Sequence, residues 1–103
     1  MIAGRTTDFL YAADGRKVSG AAMTIYLAAR VPGIRQAQIV QRVRNQVNFN
    51  LVIDGEFSES SRALLAEKVK HFFGEKMEYN LNLVDQIPRE PSGKYRFSIC
   101  EVK

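Results

Sequence analysis

Between residues 34 and 53 apolar and polar residues alternate twice over, a pattern that admits few folds. Ala37, Ile39, Gln41 and Val43 fall on one side of an extended run from Ile34 to Arg44. Val47, Phe49, Leu51 and Ile53 fall on one side of the next run, opposite Asn48, Asn50 and Val52. Side chains alternate across a strand with a period of two, so each run reads as a strand with one buried face. Arg44-Asn45-Gln46 is the turn between them, and Asp54-Gly55 closes the second strand. A sheet with one apolar face needs a second layer to cover it.

The flanking segments supply that layer. Asp8 to Ala13 and Arg16 to Val18 read as two short strands joined by Asp14-Gly15, a strong hairpin signal. Ser19 can cap a helix over Gly20 to Ala29, in which Ala22, Tyr26 and Ala29 share a face with Ile25 at its edge. Pro32-Gly33 ends it, because proline cannot continue the backbone ladder. Ser58 can cap a second helix, with Glu59 favouring its dipole. Leu65, Val69, Phe72 and Phe73 then recur at helical spacing, and Gly74 is placed to stop the helix in a left-handed conformation. Met77, Tyr79, Leu81 and Leu83 alternate through a last core strand. A tail follows, with a short extended run from Tyr95 to Val102. The expected fold is α+β. An N-terminal β-hairpin precedes a two-layer sandwich of a mainly antiparallel sheet, about three core strands with helices on one face, in the order hairpin-α-β-β-α-β. Such an architecture hosts many functions and identifies none.

With 103 residues the chain reads as a single domain over 1–103. Its composition, 46% apolar and 25% charged, is that of a globular domain rather than a disordered segment or a coiled coil. No apolar run approaches the roughly 20 residues needed to span a bilayer, so no membrane partner is expected. Met1 to Arg5 lacks the regions of a signal peptide, and Cys100 is the one cysteine. Both fit a cytoplasmic location. Cys100 and His71, the one histidine, are too few for a zinc site. His71 also lies within an amphipathic helix pattern, a poor position for a Ser–His–Asp triad.

Charge is unevenly spread. Residues 1–50 carry seven Arg/Lys and two Asp, whereas residues 51–103 carry eight Arg/Lys and nine Asp/Glu. The basic half could meet phosphate, nucleic acid or an acidic partner, or simply be solvated. A nucleic-acid-binding domain would need exposed aromatics among basic residues, from Tyr11, Tyr26 or Phe49. Phe49 lies on an apolar strand face and reads as core, which disfavours that role.

Two stretches could carry chemistry. In Pro88-Arg89-Glu90-Pro91-Ser92-Gly93-Lys94, the prolines stiffen the approach and Gly93 permits a close backbone approach. Lys94 then presents an ammonium from a loop, suited to developing negative charge on phosphorus. By spacing alone it reads rather as an ordinary surface lysine after a turn. The second stretch is Gly4-Arg5-Thr6-Thr7-Asp8, followed by Asp14-Gly15-Arg16. Arginine offers a planar fork for phosphate or carboxylate. Alone, these residues read as a loop and a hairpin with solvated charges.

Together, in this order and separation, the two stretches resemble the C-terminal domain of adenylate-forming enzymes, the acyl-CoA synthetase superfamily. Gly4-Arg5-x-x-Asp8 with Gly15-Arg16 is similar to that family's hinge motif and hairpin. Pro88 to Lys94 is similar to its catalytic-lysine motif. Gln38-Ile39-Val40-Gln41 and Val84-Asp85-Gln86-Ile87-Pro88 resemble the phenylacetate–CoA ligase-like branch, which includes the capsular polysaccharide biosynthesis type. The resemblance covers nearly the whole chain.

The resemblance implies a mobile lid over a large N-terminal adenylation domain, in cis or in trans. That domain would bind ATP, magnesium and a carboxylic acid. Lys94 takes the catalytic role in acyl-adenylate formation, and Arg5 contacts the nucleotide. The hinge falls on Thr7 or Asp8. After rotation, Gly15 and Arg16 lie near the acceptor thiol, coenzyme A or another. ATP or AMP and coenzyme A are expected only in the full-length enzyme, and no catalysis or tight binding is expected of this domain alone. The alternative is a stand-alone, non-catalytic binding or regulatory module of the same fold.

Overall fold

A computed structural model of the chain describes residues 9–87, 91 and 97–102. The elements follow in the order β1 (Phe9–Tyr11), β2 (Lys17–Ser19), α1 (Gly20–Arg30), β3 (Ile34–Val43), β4 (Gln46–Ile53), α2 (Glu59–Phe73), β5 (Glu78–Leu83) and β6 (Ser98–Cys100). β1 and β2 form an antiparallel two-stranded sheet. The other four strands form one sheet in the order β5-β4-β3-β6. The α+β class, the N-terminal hairpin and the order of elements are those expected.

Strand direction follows from how the chain returns. β3 and β4 are joined by a tight turn and are antiparallel. α2 crosses between β4 and β5, and those two strands are parallel, since a crossover brings the chain back to its starting end. The tail adds a fourth strand, β6, parallel to β3, with Ile39 opposite Ser98 and Gln41 opposite Cys100.

The core lies between the sheet and the two helices. Val47, Phe49 and Leu51 of β4 are fully buried against Leu65, Val69 and Phe73 of α2 and Met23 and Leu27 of α1. Phe49 meets Phe73 and Tyr79 edge-on, with ring centroids 6.5 and 6.2 Å apart. The opposite sheet face is polar. Asn50 donates to Gln38 (2.9 Å), Asn82 to Asn50 (3.2 Å) and Asn80 to Asn48 (3.1 Å), which makes an amide ladder across three strands.

Local chemistry explains the boundaries. Ser19 caps α1, its hydroxyl accepting from the Ala22 N–H at 3.2 Å. Ser61 closes the start of α2 by accepting the Ser58 N–H (3.1 Å) and donating to the Pro32 carbonyl (2.8 Å), so one buried hydroxyl also ties the helix to the α1–β3 loop.

Four local expectations are corrected. The inward face of α1 is Met23, Thr24 and Leu27, whereas Ala22 and Ala29 are exposed and Tyr26 is half-buried against Phe72 (5.2 Å). Val43 is exposed because the pairing with β4 shifts between Val40 and Val43 and turns it outward. Leu83, on the edge strand β5, is also exposed. Gly74 ends α2 at positive φ, 101°, but its ψ of 156° is extended rather than left-handed helical.

Candidate functional site

The hairpin is the part of the expected site that the described residues contain. Tyr11 pairs with Lys17, and a further rung between Ala12 and Arg16 leaves a three-residue loop over 13–15, one residue longer than Asp14-Gly15. The Ala12 N–H donates to the Arg16 carbonyl (2.8 Å), and the Gly15 N–H donates to the Ala12 carbonyl (2.9 Å). Gly15 has φ of 91°, which explains a glycine at the loop's last position. Asp14 holds the tip together. One of its carboxylate oxygens accepts the Arg16 N–H (3.0 Å) and the other the Arg16 Nε–H (2.8 Å). The backbone bond first, then the guanidinium, hold this carboxyl below its usual range.

Beside the tip runs a shallow groove. Its wall is Arg16 and Lys17, and its floor is Met23, Tyr26 and Phe72. Arg30 and Lys68 lie 5.7 and 5.5 Å from the Tyr26 ring centroid, outside the groove's own lining. A ring-floored groove walled by Arg16 and Lys17 can hold an anion attached to an apolar or flat group. Neither Lys17 in the groove wall nor Arg30 beside Tyr26 was visible in the hairpin motif itself. The signal for them was the excess of positive charge in the first half of the sequence.

Lys94, Gly93, Arg5, Thr7 and Asp8 lie outside the described residues, as does most of the tail between Ile87 and Phe97. The supports on either side are described. Ile87 is buried, the Ile39 N–H donates to the Phe97 carbonyl at 2.8 Å, and Ser98 is fully buried at the start of β6. β1, which begins one residue after Asp8, packs against β6. The segments that follow the hinge motif and the lysine motif are therefore brought side by side.

One residue at that junction was missed as more than a member of an apolar face. Gln41 is fully buried in β3. Its side-chain oxygen accepts the Tyr11 N–H (2.7 Å), and its amide donates to the Tyr11 carbonyl (2.9 Å) and the Arg44 carbonyl (3.1 Å). A single amide among Ala37, Ile39 and Val43 was the available signal. Arg44 completes the clasp, its guanidinium 4.5 Å from the Tyr11 ring centroid. Phe49 is core. No three His, Cys, Asp or Glu side chains converge as a metal site among the described residues, and no helix there is long and apolar enough to cross a membrane.

A mixed sheet covered by two helices, with a clasped hairpin packed on it, defines a small α+β domain. Residues 10–101 match the family model of the CapK C-terminal domain, and the chain belongs to that family. Its fold is similar to part of an acyl-CoA synthetase from Brucella canis, at TM-score 0.64 and 20% identity over 90% of this chain and 18% of that one. It is also similar to part of an ATP-bound RpMatB-BxBclM chimera, at TM-score 0.51 and 24% identity over 80% of this chain and 17% of that one. The chain thus spans less than a fifth of these larger proteins. No curated protein matches it closely enough to be reported as a relative.

Proposed function

We propose that residues 1–103 form the mobile C-terminal lid of an ATP-dependent carboxylate–thiol ligase, with a hinge motif at 4–8 and a catalytic-lysine loop at 88–96. The observation that carries this reading is a CapK C-terminal family match coupled to a fold found within a much longer acyl-CoA synthetase. The Pro88-to-Lys94 motif, near the end of the sequence, supports the reading through its resemblance to that family's catalytic-lysine motif.

In the first step Lys94 would bridge the carboxylate of the acid and the α-phosphate of ATP, and Arg5 would contact the nucleotide. The acid attacks the α-phosphorus, pyrophosphate leaves, and the ammonium offsets charge on the phosphoryl oxygens. A lone lysine on a wet loop has little leverage, so the large domain must exclude water around it. Magnesium would sit with the nucleotide in that domain. Rotation about Thr7 or Asp8 would then bring the hairpin to the adenylate. Gly15 and Arg16 would line the approach of the thiol, and the basic groove with Lys17 would meet the phosphates of coenzyme A. The reading places the protein in the cytoplasm, where ATP and acyl thioesters are made.

The test separates the two half-reactions in the ligase that carries this chain. Lys94→Ala should slow adenylate formation roughly 10²–10³-fold and spare the consumption of supplied acyl-adenylate. Arg16→Ala should do the reverse more weakly. Equal losses in both half-reactions for both variants would contradict the division of labour. A protein that makes no adenylate with any acid but folds normally would favour the non-catalytic module.

A further inference from the structure

We infer that Gln41 is a positioning residue that fixes the hairpin to the lid's sheet, so that the hairpin and the strand that follows the lysine motif are held as one body. The inference rests on the ligase reading for its catalytic consequence, though not for its structural one.

The hairpin cannot hold itself. β1 and β2 are three residues each, and an isolated two-stranded ribbon is marginal in water. Its anchors come from elsewhere. Leu10 is fully buried in the core, and the Ala13 N–H donates to the Phe73 carbonyl at 2.7 Å. Between them lies Tyr11, whose N–H and carbonyl both face the Gln41 side chain, at 2.7 and 2.9 Å. That amide presents to the hairpin the same acceptor and donor that a neighbouring strand would. A side chain thus replaces a backbone ladder where β1 meets β3 of the main sheet.

Position makes the clasp consequential. Tyr11 lies three residues beyond Asp8, the last candidate hinge residue, and two before the loop that carries Gly15. Gln41 itself stands opposite Cys100 of β6, the strand that the lysine motif leads into. The Glu101 N–H donates back to the Gln41 backbone carbonyl at 2.8 Å. One residue therefore holds the chain after the hinge with its side chain and the chain after the lysine loop with its backbone.

Buried amide hydrogen bonds are costly to leave half-made, so the hairpin is the element that yields when the clasp is lost. Gln41→Met keeps the side chain's length and removes its hydrogen bonds. In the full ligase, hydrogen–deuterium exchange should quicken about tenfold or more over residues 9–19 and stay unchanged over α2. Acyl transfer to the thiol should slow about ten- to a hundredfold, since small misplacements are costly, with adenylate formation within about twofold. Asn50→Leu, on the open sheet face, serves as the control and should alter neither. Faster exchange throughout the domain, or none anywhere, would overturn the positioning role. Equal loss in both half-reactions would overturn its link to acyl transfer. If the unsubstituted ligase makes no adenylate, the ligase reading fails, and the exchange data alone decide whether Gln41 is the clasp.

Discussion

Gly33 has no room for a side chain. Its φ is 90°, and a methyl group on its Cα would run into the backbone of Phe57. The Asp54 N–H donates to its carbonyl at 2.9 Å, so the α1–β3 and β4–α2 loops close on each other there. Gly33→Ala should cost about 2–4 kcal/mol, from strained φ and overpacking together. The check is a lower urea midpoint at unchanged slope, and a cost below about 0.5 kcal/mol would mean the loops separate freely. Asp14 gives a pH signature. Its folded pKa lies below the ordinary 3.8, so its contribution is fully present above that value and is lost as pH falls through the lower, folded one. An NMR titration should place its midpoint below 3.8, and Arg16→Ala should return it only part of the way, because the Arg16 backbone N–H is the larger cause.

At the scale of elements, β4 carries the core. Phe49→Ala should cost about 3–5 kcal/mol, because Phe73 and Tyr79 both pack on its ring and the site cannot collapse from two sides at once. Thermal or urea unfolding measures it, and a cost under about 1 kcal/mol would mean that this packing contributes little. β3 and β4 were legible because their alternation is long and one face is wholly buried. The face of α1 was not, because its alanines make it apolar almost all round. Which side turns inward is then decided by Met23 and Leu27, which have more surface to bury. Gln41 was visible as a polar residue in an apolar face. Its meaning depends on Tyr11, thirty residues away in sequence, and no local pattern reports that. The pairing of β6 with β3 is hidden for the same reason.

At the scale of the whole molecule, the candidate site is half a site. The hairpin could be read from Asp14-Gly15 and the groove beside it only from the packed structure, since Lys17, Tyr26 and Phe72 converge from three elements. The chemistry assigned to Lys94 needs a water-excluding partner surface, and the chain spans less than a fifth of the proteins whose fold it shares. The most direct test of the central claim is isotope exchange between pyrophosphate and ATP, measured with a panel of carboxylic acids. The protein should be the full-length protein that carries this chain, with Lys94 intact and as Lys94→Ala. The account predicts exchange that requires both a particular acid and Lys94. Exchange that persists undiminished in Lys94→Ala would contradict it.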